Sequence, residues 1–225
     1  MNTTTKRSTL VLLAAAVVGT AALVISTAQA GPPAICHPVE IGDQASLPWG
    51  SSAFDKKRGY SKSDVLDDTL TLLEASDSAL VHMETLRRAT LYLDRDTKRA
   101  TTLIATLMAR ALDAEAAGEP NALAWFDAGY LAQCYAQVRI DTGISCGNAN
   151  GVAGYGWIKK ALQLRGDDPQ MEFGAAMATV FAGIPEHDEH AARVKTLAKN
   201  DALAMKNLRY HAEKIWTHAH GRGRG

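Results

Sequence analysis

The 225 residues carry 24 Lys and Arg against 24 Asp and Glu, so the chain has no net charge at pH 7. That balance lacks the basic footprint of a nucleic-acid binder. Hydrophobic residues make up 47% of the chain, which suits one domain with a sizeable core.

The chain opens with Lys6 and Arg7, an apolar run from Leu10 to Ile25, and the small-residue site Ala28-Gln29-Ala30. A positive start, an apolar middle and an A-x-A site make up a secretory signal peptide, here residues 1–30. Cleavage after Ala30 leaves 195 residues of the 225, and the loss of Lys6 and Arg7 leaves 22 basic residues against 24 acidic. The expected destination is the periplasm or the extracellular space, with no membrane contact after cleavage. The rival reading is an uncleaved N-terminal anchor, since a spanning helix needs about 20 apolar residues. Cys36 follows Pro33-Ala34-Ile35, which lacks the small residues a lipidation site places before its cysteine.

Residues 31–62 hold Pro32, Pro33, Pro38, Pro48, Gly42, Gly50 and Gly59 without a sustained period. They read as an irregular N-terminal arm, packed on the body by Ile35, Val39, Ile41, Leu47, Trp49 and Phe54. From residue 63 to 220 the period is helical. Apolar stripes run through Leu66, Leu70 and Leu73, then Met83, Leu86, Thr90 and Leu93. They continue through Leu103, Ile104, Leu107, Met108, Ala111 and Leu112, and through Phe126, Tyr130, Leu131, Cys134 and Val138. Three more follow, led by Trp157, Met171 and Val194, the last read as one helix reaching Ile215. Ser61 and Asp64 have capping-box spacing. Asp94-Arg95-Asp96, Gly118-Glu119-Pro120, Asp168-Pro169 and Gly183-Ile184-Pro185 are stop and start signals. The expectation is an all-α fold of about seven antiparallel helices in hairpins, closed by a flexible tail at 221–225. A glycine-rich stretch from Asp141 to Trp157 breaks the pattern, and long loops of that kind are often functional.

Ala161-Leu162-Gln163-Leu164-Arg165-Gly166-Asp167-Asp168-Pro169 resembles the junction between two tetratricopeptide-type repeats. Trp125 to Tyr130, with Gly129 as the small residue, resembles the first helix of that family. The resemblance covers two imperfect units. It implies a stacked helical-hairpin scaffold whose concave face binds a peptide or protein, and it brings no catalytic residues.

Three cysteines, Cys36, Cys134 and Cys146, are disulfide candidates in an exported chain, and all three pairings are open. Cys36-His37 lacks the C-x-x-C-H haem motif. His187-Asp188-Glu189-His190 is the most metal-like run, although H-E-x-x-H spacing is not met, so His187 and His190 stand as weak candidates. The loop Gly151 to Gly156 lacks the Lys and Ser/Thr of a phosphate loop. Tyr155 and Trp157 beside it are candidates for a partner-binding edge, as are the aromatics Trp125 and Tyr130. Arg87 and Arg88 share a helix face with Glu84. That spacing suits solvated ion pairs, or a fork for a carboxylate. No cofactor signature and no catalytic constellation stands out. The expected function is therefore an exported protein- or peptide-binding scaffold rather than an enzyme. The alternative is a small metal-binding protein or metalloenzyme of the cell envelope.

Overall fold

A computed structural model of the chain describes residues 33–144, 152–180 and 184–216. The leader, the tail, Cys146 and most of the glycine-rich loop lie outside the described residues. Among those described the fold is all-α: α1 (Pro33–Cys36), α2 (Val65–Glu74), α3 (Ala79–Tyr92), α4 (Thr97–Ala116), α5 (Ala122–Val138), α6 (Tyr155–Arg165), α7 (Pro169–Thr179), α8 (Glu186–Leu197) and α9 (Ala202–Trp216). None of these helices is long and apolar enough to cross a membrane.

Side chains at or next to three of the predicted breaks cap helices. Asp96 accepts from Arg99 N at 3.2 Å, and Asn121 from Ala124 N at 3.1 Å. Asp168 accepts from Gln170 N and Met171 N, with Pro169 in the first turn where a missing N–H costs nothing. The expected box at Ser61 and Asp64 does not form. Asp64 Oδ1 accepts the Ser63 hydroxyl instead, and its side chain caps nothing. The expected last helix is two. A 3-10 turn, Ala198–Asn200, ends α8, and Asp201 then caps α9 by accepting from Ala204 N at 2.8 Å.

The helices do not pack as a file of equivalent hairpins, in which each unit meets only its neighbours. α5 meets α1, α3, α4, α6 and α7. It is buried on nearly every side from Leu123 to Tyr135, and α7 is buried from Met171 to Thr179. The other helices and the arm surround this centre. The arm lays Ile35, Val39, Ile41 and Leu47 into the core as expected, but Phe54 is 54% exposed. The stripe on α4 holds for Leu103, Ile104, Leu107 and Ala111, while Leu112 at its edge is 50% exposed.

Candidate functional site

The arm is fastened by charged and amide side chains rather than by apolar contact alone. Glu84 is buried in α3, and a buried carboxylate is costly unless paired and hydrogen-bonded. It accepts from Arg87 Nε and Nη2, both at 2.8 Å, from Arg88 Nε at 2.7 Å, and from Val39 N at 3.0 Å. Arg87, also buried, spends Nη1 on the carbonyls of Ile35 and Ala53. Arg88 Nη1 donates to the Leu47 carbonyl at 2.7 Å. On α9, Asn207 takes both backbone polar groups of Glu40, accepting from its N–H at 2.8 Å and donating to its carbonyl at 2.7 Å. Tyr92 donates to the Pro48 carbonyl at 2.6 Å.

Between the arm, α3 and α9 lies an open cleft of about 710 Å³. Its floor is the Glu84, Arg87 and Arg88 cluster. Trp49 covers both guanidinium groups, at 5.3 and 5.7 Å from its ring centre, a cation–π geometry. Tyr210, 67% exposed, stands at the rim beside Lys206. Lys206 pairs with Glu40 at 3.0 Å. Two guanidinium groups share the one carboxylate of Glu84, which leaves one positive charge over. Arg88 is the more exposed of the two.

Two buried histidine–carboxylate pairs lie elsewhere. His82 on α3 and Asp127 on α5 approach at 2.7 Å between Nδ1 and Oδ1. His82 Nε2 is 2.8 Å from the Ser76 carbonyl. A carbonyl only accepts, so Nε2 carries a proton, and a second proton is shared between Nδ1 and Oδ1. Burial alone would push His82 down. The charge of Asp127 and its hydrogen bond overcome that and hold His82 above the usual 6.5. Burial pushes the Asp127 carboxyl up, against the pull of His82.

The second pair joins α6, α7 and α8. His190 Nδ1 lies 2.6 Å from Glu172 Oε2, and Nε2 lies 2.7 Å from the Tyr155 hydroxyl. Glu172 also takes Arg193, which reaches on to Asp167 at 2.8 Å. Burial raises the Tyr155 hydroxyl above its ordinary range. In both pairs the two ring nitrogens are committed, so neither ring offers a lone pair to a metal or a substrate.

The residues singled out in the sequence fall in different environments. Arg87 and Arg88 meet in the arm cleft. Tyr130 is buried and stacked on Phe126, with no partner for its hydroxyl among the described residues. Trp125 is buried beneath Lys160, whose Nζ is 4.1 Å from the ring centre. Tyr155 is buried as a strut, and Trp157 beside it is half-buried. The structure thus brings no aromatic edge together around these four. His187 approaches Thr179 Oγ1 at 3.1 Å, and among the described residues no three His, Cys, Asp or Glu side chains can hold a metal ion. Cys134 is a buried thiol with no disulfide among the described residues, and Cys146 lies outside them.

Sequence reasoning missed His82, Asp127 and Glu172, together with Trp49 and Tyr210 in the cleft. One signal was available: Asp127 is a lone carboxylate between Trp125-Phe126 and Ala128-Gly129-Tyr130, and such a group in a buried helix requires a partner. No family model matches this chain, and neither a curated protein nor a solved structure shows a significant match to it.

Proposed function

We propose that this chain is an exported helical scaffold that binds a protein or peptide through a carboxylate, in the cleft between the arm, α3 and α9. The observation that carries the reading is the charge balance of the cleft floor, where Glu84 answers two arginines. Among the described residues Arg88 Nη2 has no acceptor, since Nε and Nη1 take the partners already described. An arginine fork is shaped for a carboxylate. Trp49 and Tyr210 add amphipathic aromatic surface of the kind that anchors peptide contacts. The leader supports export, and the committed nitrogens of His82 and His190 favour binding over catalysis.

Selection of a random peptide library on the mature chain tests this. Enriched peptides should carry a terminal or side-chain carboxylate. Their binding should weaken about tenfold with Arg88→Gln, fall with added salt, and weaken with Tyr210→Ala. Failure to enrich peptides, or enrichment indifferent to Arg88→Gln, would overturn the proposal.

A further inference from the structure

We propose that the cavity beside the His82–Asp127 pair is a binding site for an alkylammonium group, separate from the arm cleft and independent of its function. The cavity lies between the α2–α3 connection and the helices α4 and α5 and holds about 280 Å³. Asp127 is 4% exposed and lines it. Its Oδ1 is engaged by His82, but no hydrogen bond reaches Oδ2 from any described residue. It is a nearly buried acceptor on a residue that lines the cavity, and such a group is costly to leave without a donor.

The charges around it select the sign of the ligand. Arg110 is bound to Glu74, although its charge also reaches Asp127, and His82 is balanced by Asp127. The Asp77 carboxylate also lines the cavity and has no ion-pair partner among the described residues. One negative charge is left over. No three metal-ligating side chains converge here, so a divalent cation lacks a ligand set. An ammonium instead brings three donors and a positive charge. Leu73, Leu107 and Leu123 form the apolar part of the wall and accommodate a methylene chain rather than an ammonium ion alone. The same group can come from a free amine or from a lysine side chain of a partner.

The test uses the mature chain, isotope-labelled in histidine, leucine and the backbone. n-Butylammonium chloride is titrated while the His82 ring nitrogens are followed by NMR, with n-butanol as the uncharged control. Saturable shifts in about the millimolar range are expected, with contacts between the butyl protons and the methyl groups of Leu107 or Leu123. Asp127→Asn should weaken binding about tenfold. Asp77→Asn, a change at an exposed position, should weaken it by a smaller factor. Tighter binding of a lysine-containing peptide than of its norleucine counterpart would assign the ammonium to a partner's side chain. Tighter binding of free cadaverine would assign it to a soluble amine. No shift at about 50 mM butylammonium, an equal response to n-butanol, or binding without leucine contacts would each overturn the proposal, even if Asp127→Asn does not fold.

Discussion

The backbone of Gly129, midway along α5, lies directly against the backbone of Gly154 at the start of α6. A Cβ on Gly129 would stand 2.7 Å from the Gly154 carbonyl oxygen and 2.9 Å from Ile158 N. A Cβ on Gly154 would strike the Gly129 carbonyl in turn, and Gly154 has φ 70°, which favours glycine. At both positions main-chain atoms are among the nearest obstacles, and no rotamer change moves those. Gly129→Ala should destabilise the fold by about 1–3 kcal/mol, the usual range of overpacking. Urea unfolding measures this, and an unchanged midpoint would count against the close approach.

The Glu84 cluster makes a second prediction. Glu84→Ala leaves Arg87 buried with its charge unpaired, and breaking a buried pair from one side costs about 3–5 kcal/mol. The loss should appear first in the arm, because Glu84 holds Val39 and orients the arginines that hold Ile35, Leu47 and Ala53. Limited proteolysis should cut the arm of the variant faster than the helical body. Cleavage that begins in the body would contradict this role.

The His82–Asp127 pair predicts a pH dependence. His82 has a folded value raised above its ordinary one, because the charge of Asp127 and its hydrogen bond outweigh burial. The folded chain therefore keeps the shared proton to higher pH than the unfolded chain. Its contribution is fully present below the ordinary histidine value of 6.5 and is lost as pH rises through the raised His82 value. Unfolding free energy against pH should fall on the alkaline side of 6.5 more steeply for the native chain than for His82→Gln. Parallel curves would exclude the pair as the source.

Cys134 should be a poor nucleophile. Burial pushes its thiol up to about 12, so little thiolate exists near neutrality. Native protein at pH 8 should leave Cys134 unmodified by iodoacetamide, and denaturant should expose it to reaction. Rapid labelling of Cys134 without unfolding would show that this part of α5 opens.

His190 should matter for stability and not for metal. His190→Phe removes the hydrogen-bond partner of the Tyr155 hydroxyl and one partner of Glu172, at about 1–3 kcal/mol for the buried groups left unpaired. Chelator treatment should leave the thermal midpoint of the protein unchanged. A stoichiometric metal that disappears with His190→Phe would restore the metal-binding alternative.

The helical class was legible because it rests on spacing within a few turns. Leu103, Ile104, Leu107 and Ala111 lie where the period puts them, and Asp96 and Asp168 cap where they precede a stripe. The break at Asp201 was hidden, because Val194, Leu197 and Ala198 run on toward Leu208 with compatible spacing. The candidate sites were less legible. Arg87 and Arg88 were visible as a pair on one face, but their burial depends on an arm that arrives from some fifty residues away, at Ile35. Tyr155 and Tyr130 looked like edges and are interior, since aromatic character does not say which side of a helix another helix will cover.

What the sequence determined by itself is local: helical periodicity and the caps at Asp96 and Asp168, all set by neighbours within a few residues. Only the tertiary structure decided which charges meet. His82 finds Asp127 across 45 residues, Glu172 finds His190 across 18, and Asn207 takes up Glu40 across 167. Each partner is chosen by how the helices pack around α5. The energetic demand that a buried charge be answered is readable from one residue, but the identity of the group that answers it is not.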